Sequence, residues 1–320
     1  MESIGTDAAN PGTDTLETRK HEVALKAEIP FCLHRCPFCN RTPIEGWDST
    51  RLHAYMRALQ REIEANADQF SDCRITSIRL GGGLASMAKG EDISDTLHLI
   101  RSLYDVAPDA GVSMRASISN ISGASMPYFL RAGIRRFDFE MMSLDTFDFP
   151  EVNRRDNLRD FPTICECFLH SYRTDRLGLV LAYGIAGDER PLRRTMHECA
   201  RGDARHVELV EFRGGNEASP EEKAEQLDQA RMILAEGGFR EYAPLMFARK
   251  GHEDAVLAIE AGIRNESEPS SGKTAGGLLA FGLGAKTYFG GIASTNTSDL
   301  ELYLEHSDDF RRITAKIEQI

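Results

Sequence analysis

Short runs of β-branched and aromatic residues alternate along this chain with longer stretches whose apolar residues recur every three or four positions. The short runs predict six strands, at Val23–Ile29, Ile75–Leu80, Val112–Ile118, Arg136–Met142, Leu177–Gly184 and Val207–Phe212. Strands that alternate with helices predict a parallel sheet with helices packed on its outside. Six such units are two short of a closed eight-fold barrel, so we expect an open or partial barrel.

The helical stretches carry recognisable start and stop signals. Asp48, Ser49 or Thr50 can cap the first helix. The run Ser219-Pro220-Glu221-Glu222 is typical of a capped helix start, and Gly237-Gly238 is typical of a helix end. Further helices are predicted at about Asp92–Tyr104, Ser125–Ala132, Asp160–Tyr172 and Pro191–Ala200.

The composition of the sequence changes twice along the chain, which predicts three regions. Residues 1–20 mix acids, Gly, Pro and Thr and are expected to be a disordered lead-in. Residues 21–215 hold the strand–helix units of the partial (β/α)6 barrel. Residues 216–320 are expected to form a small C-terminal α+β accessory region, in which six glycines between positions 276 and 291 indicate closely approaching backbone.

Composition narrows the class of protein. The 320 residues include 38 Lys and Arg against 50 Asp and Glu, a net charge of −12. Such an acidic chain is a poor partner for nucleic acid, because that affinity depends on cationic contacts. No stretch approaches the roughly 20 apolar residues that a membrane helix needs, and the N-terminus lacks the apolar core of a signal peptide. We therefore expect a cytoplasmic protein with reduced thiols.

Three cysteines carry the strongest chemical signal. Cys32, Cys36 and Cys39 have the spacing CxxxCxxC and follow the first predicted strand, at the end where α/β folds place their sites. Thiolates are soft ligands that suit iron–sulfur clusters or zinc. Three thiols can hold three irons of a [4Fe–4S] cube and leave the fourth iron open. A structural zinc site would need a fourth protein ligand; His34 could supply it only by an awkward local wrap of the loop, and the sequence does not place Cys73.

A second motif closes the next predicted strand. Gly81, Gly82 and Gly83 follow one another and expose backbone N–H and C=O groups to a close ligand. Alone, such a run can be a simple strand-to-helix turn. Beside a cysteine loop on the preceding strand, it indicates a ligand cradle. Other features are weaker: Cys165 and Cys167 are expected to pack in a helix, and His206 is expected to be a capping or surface residue.

Read together, these motifs resemble the radical S-adenosylmethionine (SAM) superfamily, and within it the oxygen-independent coproporphyrinogen III oxidases and their heme-chaperone relatives. The resemblance rests on segments in the family's order between about Lys26 and Gly291. They are the cysteine loop, Gly81-Gly82-Gly83-x-x-Ser86, Leu130-Arg131-Ala132-Gly133, Asn153-Arg154, Tyr183-Gly184-Ile185, Glu260-Ala261-Gly262-Ile263-Arg264-Asn265 and Phe281-Gly282-Leu283-Gly284-Ala285. The family's fold is a partial (β/α)6 radical SAM barrel, which agrees with the six predicted units.

The resemblance implies a set of roles. Cys32, Cys36 and Cys39 would bind a [4Fe–4S] cluster, and SAM would bind its open iron. The glycine run Gly81 to Gly83 would hold the methionyl end of SAM, Phe38 would lie beside its adenine, and Arg154 would contact it. Reductive cleavage of SAM would give a 5′-deoxyadenosyl radical that abstracts hydrogen from a small-molecule substrate, with a tetrapyrrole as the leading candidate. A flavodoxin or ferredoxin would supply the electron, and heme is a further candidate ligand.

The chain also departs from the family pattern. Lys26-Ala27-Glu28 replaces the family's Tyr-x-His, and Leu84-Ala85 replaces Thr-Pro after the glycine run. Arg115 stands where the family has a glutamate, Met142 where it has a glutamine, and Val180 where it has an aspartate. The cluster ligands and the backbone cradle are thus retained while most polar side chains of the family's site are not. No catalytic residue is assigned from the sequence.

Two interpretations remain open. In the one we favour, SAM still binds, with Glu28, Arg115 or Glu140 rebuilding the polar shell and an ion pair forming among them. In the other, SAM chemistry is weakened or lost, and the chain is a non-catalytic heme chaperone or cluster-binding protein. The missing Tyr-x-His argues against decarboxylation of coproporphyrinogen itself, which leaves a tetrapyrrole-modifying enzyme, a heme-handling protein or a radical SAM methyltransferase.

Overall fold

The computed structural model describes residues 20–36, 39, 43–46, 48–121, 125–142, 176–187, 190–264 and 276–320. Within these ranges the strands are β1 (His21–Ile29), β2 (Phe31–Cys32), β3 (Ile44–Glu45), β4 (Cys73–Gly82), β5 (Asp105–Ala116), β6 (Arg136–Met142), β7 (Arg176–Tyr183), β8 (Ala204–Glu211), β9 (Arg240–Ala243), β10 (Met246–Ala248), β11 (Gly277–Phe281), β12 (Lys286–Phe289), β13 (Ile292–Asn296) and β14 (Thr314–Gln319). The α-helices are Ser49–Ala65, Gly90–Leu103, Met126–Arg131, Arg190–Arg201, Pro220–Glu236, Ala255–Arg264, Leu300–His306 and Phe310–Ile313.

One twelve-stranded sheet organises the molecule, in the order β14-β13-β12-β11-β1-β4-β5-β6-β7-β8-β10-β9. Its centre is six parallel neighbours in chain order, β1, β4, β5, β6, β7 and β8. These are the six strands that the sequence predicts. The α/β class and the partial (β/α)6 arrangement are therefore confirmed.

The later strands extend this sheet on both sides. β11 pairs with β1 in parallel, and β12, β13 and β14 follow as antiparallel neighbours. On the other side β10 and β9 add to β8 in antiparallel fashion. The division proposed near residue 215 thus separates central from added strands along the chain, while the sheet itself is continuous.

Alternation along the strands separates two environments. In β1, Val23 and Leu25 face the main hydrophobic core beneath the helices, whereas Lys26 and Glu28 face the concave interior of the sheet. Side chains of successive residues point to opposite faces of a strand, so one strand serves both surfaces. The concave face is where the charged residues of the barrel strands collect.

Local signals placed several boundaries well. β6 has the predicted bounds, Asp48 caps the first helix by accepting from the Thr50 and Arg51 amides, and Ser219 forms a capping box with Glu222. β5 differs, because it begins at Asp105 rather than Val112, and Ile118 lies in a short 3-10 turn. The helix predicted at Asp160–Tyr172 lies outside the described residues. No helix in the described ranges is both long and apolar enough to span a membrane.

A buried carboxylate joins the first helix to the added strands. Glu62 accepts hydrogen bonds from the Gly282 amide at 2.7 Å, the Asn296 amide group at 2.6 Å and the Tyr303 hydroxyl at 2.5 Å. Burial raises the pKa of Glu62 to about 7, although these three hydrogen bonds act to lower it. Glu62 therefore connects three separate C-terminal segments to the barrel and titrates near neutral pH.

Candidate active site at the mouth of the barrel

The cysteine loop begins where the predicted site requires it, directly after β1. Cys32 ends β2 and is buried, while Cys36 and Cys39 are partly exposed. The Ile44 amide donates to the Pro30 carbonyl at 2.7 Å, and the Gly46 amide donates to the Cys32 carbonyl at 3.1 Å. These bonds fix the start of the loop against the segment that follows it.

The glycine run packs against that same loop. The Gly83 amide donates to the Ile29 carbonyl at 2.9 Å, and the Leu84 amide donates to the Phe31 carbonyl at 2.8 Å. A Cβ atom on Gly83 would lie 2.5 Å from the Phe31 carbonyl oxygen, which no real side chain tolerates. Gly82 has a φ of +91° and lies against the Glu28 carboxylate. The run therefore brings β4 and the cysteine loop into backbone contact.

The mouth of the barrel is the end at which β1, β4 and β6 finish. Below it, side chains of alternating charge fill the concave interior. We call this set the charge ladder; in order of contact its members are Asp254, Arg136, Asp138, Arg79, Glu208, Arg115 and Glu140, and all seven are buried. At its lower end Arg136 pairs with Asp254 and with Asp138 at 2.9 Å, and Arg79 contacts Asp138 at 2.6 Å. Burial alone would raise the pKa of Asp138, but attraction by Arg136 and Arg79 outweighs it and holds the pKa below its usual range.

The upper end of the charge ladder contains the ion pair that the sequence suggested. Arg79 Nη2 lies 3.8 Å from Glu208 Oε2, and Arg115 Nη2 lies 3.2 Å from Glu208 Oε1. Arg115 Nε lies 2.6 Å from Glu140 Oε1. The pair between Arg115 and Glu140 is thus present. Glu140 lies two residues before the end of β6, so its carboxylate is just beneath the mouth of the barrel.

Beside β1, a second charged group faces the mouth. Lys26 Nζ lies 2.6 Å from Glu28 Oε1 and 2.6 Å from Glu260 Oε1. These are the positions where the family's Tyr-x-His would stand, together with one residue of the helix Ala255–Arg264. Two carboxylates here share one ammonium group.

The opposite side of the mouth is apolar. Met142, Val180, Ala182, Ile185 and Phe212 form one buried hydrophobic cluster. Met142 also ends β6 with a φ of +62°, which is uncommon for a residue with a side chain. Two positions at which the family has polar side chains therefore pack against each other and offer a ligand no hydrogen bond.

One expectation from the sequence is wrong. His206 is not a capping or surface residue but is fully buried, with Nε2 2.9 Å from the Tyr242 hydroxyl. Burial and the nearby Arg136 lower its pKa to about 4, so the ring is neutral. The error arose because β8 begins at Ala204 rather than Val207, which places His206 inside the strand and on its concave face.

The donor atoms of the cysteine loop match one of the cofactors that the resemblance implies. Three thiols on one loop at a strand end are the donor set of an iron–sulfur cluster. Among the described residues, no three His, Cys, Asp or Glu side chains are already gathered as a preformed site for a metal ion. The donor chemistry fits the cluster. Phe38 and Arg154, predicted to contact SAM, lie outside the described residues.

Several residues of the interior were missed from the sequence, notably Arg79, Asp138, Asp254 and Glu208. A signal was available, because polar residues recur every second position within otherwise apolar strands, as in Arg136-x-Asp138-x-Glu140. That pattern marks a polar concave face. It does not say which charges meet across the barrel.

Known proteins resemble this chain in sequence. It is 26% identical over 246 residues to radical S-adenosyl methionine domain-containing protein 1, mitochondrial, of Bos taurus, a match covering 71% of this chain and 54% of that protein. It is 22% identical over 305 residues to the oxygen-independent coproporphyrinogen III oxidase of Escherichia coli, covering 90% and 66%. It is 27% identical over 250 residues to the heme chaperone HemW of Mycobacterium tuberculosis, covering 70% and 62%. The chain thus spans about half to two thirds of their length.

The fold has a solved counterpart. Coproporphyrinogen III oxidase from Escherichia coli, described as a radical SAM enzyme, superposes with a TM-score of 0.78 at 19% identity, covering 94% of this chain and 73% of that one. No family model matches the chain. The resemblance inferred from the motifs is nevertheless confirmed: in sequence this chain is similar to radical SAM coproporphyrinogen III oxidases and heme chaperones, and its fold is that of the coproporphyrinogen III oxidase.

Proposed function

We propose that this chain is a radical SAM protein that binds a [4Fe–4S] cluster through Cys32, Cys36 and Cys39 and cleaves SAM reductively. The observation that carries the proposal is the position of the thiol loop, directly after β1 and in backbone contact with the glycine run. When bound, the cluster and SAM together supply a 5′-deoxyadenosyl radical for hydrogen abstraction. The protein supplies the ligands, the orientation and the shielded interior.

The protein's own residues have distinct tasks under this proposal. The run Gly81 to Gly83 is proposed to hold the methionyl end of SAM, as the family resemblance implies, and Gly82 and Gly83 also let β4 approach Glu28 and Phe31 closely. Glu28 and Glu140 provide carboxylates near the mouth, each already paired with a cation. The hydrophobic side chains around Met142 exclude water from the opposite side of the mouth. Arg154 is proposed to contact SAM, as the family resemblance implies.

The substrate is proposed to be a small molecule, with a tetrapyrrole as first candidate because two of the relatives are named for coproporphyrinogen and heme. The electron is proposed to come from a flavodoxin or ferredoxin, and the site of action to be the cytoplasm. The net charge of −12 argues against nucleic acid as a partner.

Anaerobic reconstitution with iron and sulfide, followed by dithionite and SAM, tests the proposal. The expected result is a brown protein that releases 5′-deoxyadenosine. Arg154→Ala should weaken SAM binding, measured by equilibrium dialysis, without changing the iron content. Protein that binds about one zinc and no sulfide would overturn the cluster assignment, and cluster-loaded protein that forms no 5′-deoxyadenosine would overturn the cleavage step.

A specific observation favours a second candidate, a non-catalytic heme chaperone or cluster-binding protein. Met142 and Val180 lie in a hydrophobic cluster, at positions where the family has hydrogen-bonding side chains. SAM therefore loses two hydrogen-bonding partners there. The two candidates differ in one pair of measurements. Tight heme binding without 5′-deoxyadenosine would establish the chaperone, whereas 5′-deoxyadenosine formation would establish the enzyme.

A further inference from the structure

The twelve-stranded sheet ends at β14, and the outer side of that strand has no neighbouring strand among the described residues. All residues from Ala315 to Gln319 are exposed. An edge of this kind presents a row of backbone N–H and C=O groups that a further strand can bind, and charged side chains are a common means of preventing such pairing. β14 carries two charges, Lys316 and Glu318. Whether they repel or attract a second strand depends on the register of pairing.

The hydrogen bonds to β13 determine which backbone groups of β14 face outward. The Ile320 amide donates to the Gly291 carbonyl at 3.0 Å. In an antiparallel pair, hydrogen-bonded positions alternate with positions that make no such bond. Lys316 and Glu318, at even spacing from Ile320, therefore direct their backbone groups toward β13. Ile317, which lies between them, directs its N–H and C=O away from the sheet.

The charges on β14 are complementary to those of a second copy in one register. Outward backbone groups can pair only with outward groups, so a two-fold antiparallel pairing must be centred on a single residue. A centre at Lys316 or at Glu318 would place like charges opposite each other. A centre at Ile317 places Lys316 of each copy opposite Glu318 of the partner subunit, at a position without backbone hydrogen bonds, where the side chains of the two strands approach most closely.

The other face of the same edge is apolar. Ile317 is 62% exposed, and Ile292 on β13 is 47% exposed. Ile292 pairs with Gln319, so it lies on the same face of the sheet as Ile317. A pairing centred on Ile317 would set this side chain directly against its copy and remove apolar surface from water. Both faces of the strand thus favour the same register.

We propose that β14 is a self-association surface, on which two copies of this chain pair in antiparallel fashion about a two-fold axis at Ile317. The two sheets then form one continuous sheet. Such a contact uses the same surface on both copies and closes after two, so it forms dimers and nothing larger. One short strand from each copy buries little surface, so the dimer is a weak one. The inference does not depend on the proposed function, because it involves neither the cysteine loop nor the glycine run.

Sedimentation velocity of the full chain tests the proposal. We expect monomer and dimer in equilibrium between about 1 and 100 µM protein, at about 0.15 M salt, where repulsion between two acidic copies is largely screened. Ile317→Pro removes the central outward N–H group, which an edge strand can lose without harm to its inner hydrogen bonds. This variant should show no dimer over the same range, and its thermal unfolding should match that of the wild type.

Charge reversals test the register. Lys316→Glu and Glu318→Lys should each weaken the dimer roughly tenfold, because like charges then face each other. The first change makes the chain more acidic and the second makes it less acidic, so an effect of net charge alone would not weaken both. An equimolar mixture of the two variants should dimerise as tightly as the wild type, since every Glu then faces a Lys. Lys250→Glu, on an exposed turn after β10, is the matched control and should leave the dimer unchanged.

Four outcomes would each overturn the proposal. They are a wild type that stays monomeric up to about 100 µM, wild-type oligomers larger than a dimer, a folded Ile317→Pro protein that still dimerises, and a mixture of the two charge variants that dimerises no better than either variant alone. The charge variants change exposed side chains only, so they test the same contact if the proline variant does not fold.

Discussion

Arg115 and Glu140 face each other across neighbouring strands of the barrel, with Arg115 Nε 2.6 Å from Glu140 Oε1. Arg115 also contacts Glu208 at 3.2 Å. An arginine that replaces a glutamate inside a barrel would be costly if it stood alone. Here the change of charge at position 115 is balanced by two carboxylates on β6 and β8.

Removal of this arginine should therefore be costly. Arg115→Met leaves Glu140 and Glu208 buried without their closest cation, and breaking a buried pair in this way costs about 3–5 kcal/mol of unfolding free energy. Urea unfolding of the variant and the wild type measures the difference. The double variant Arg115→Met with Glu140→Met should recover part of the loss, because it removes one of the two buried carboxylates that Arg115 contacts.

A surface pair provides the control for that measurement. Arg231 and Glu241 are 2.8 Å apart but half-exposed, and Arg231→Met should cost less than about 1 kcal/mol. Equal costs for Arg231→Met and Arg115→Met would contradict the role given to the charge ladder.

The cysteine loop makes a sharp spectroscopic prediction. Cys32→Ala, Cys36→Ala and Cys39→Ala should each abolish the brown chromophore after reconstitution, because each removes one iron ligand of the proposed cluster. Cys199→Ala is the matched control, since Cys199 is buried on a helix of the barrel and should leave the spectrum intact. An unchanged absorbance spectrum in any of the first three variants would disprove that ligand assignment.

The contact between the glycine run and the cysteine loop can be tested separately from the thiols. Gly83→Ala would force a methyl group against the Phe31 backbone, so it should destabilise the protein by about 1–3 kcal/mol and lower the yield of cluster. Gly111→Ala, where a methyl group meets nothing within 4 Å, is the control. Thermal unfolding and iron content, measured on both variants, decide the point. A Gly83→Ala protein as stable and as iron-rich as Gly111→Ala would refute the contact.

Glu62 predicts how stability depends on pH. Its pKa rises from 4.5 to about 7 on folding, so its contribution is fully present below pH 4.5 and is lost as pH rises through 7. The loss amounts to about 3 kcal/mol, because one pKa unit corresponds to about 1.4 kcal/mol.

A variant isolates this effect from other titrating groups. The difference in unfolding free energy between wild type and Glu62→Gln should shrink or reverse in sign as pH rises from 5 to 8, because the amide does not titrate. His206 acts in the opposite direction and at lower pH, and it is common to both proteins. A difference that stays constant across this range would show that Glu62 is ionised throughout.

Local patterns in the sequence were sufficient to predict the central strands and several helix starts. Arg136–Met142 alternates cleanly and was bounded correctly, and the capping box at Ser219 fixed a helix start. Such features depend on residues a few positions apart, which the sequence displays directly.

The interior of the barrel could be predicted only in part, because its contacts join distant residues. Arg136 meets Asp254 across 118 positions, and Lys26 meets Glu260 across 234. The pair between Arg115 and Glu140 was accessible because a family resemblance marked the charge at position 115 as unusual. Nothing comparable marked Asp138 or Asp254.

Met142 combines an unusual backbone conformation with an apolar side chain at the mouth of the barrel. It holds a left-handed conformation at the end of β6 and packs against Val180 and Phe212. An amide side chain placed there alone would pack against the Val180 and Phe212 side chains, which offer no hydrogen bond in place of those lost to water. Because Met142 and Val180 share one hydrophobic cluster, engineering a polar mouth should begin with paired substitutions at 142 and 180, so that each new polar side chain has a partner.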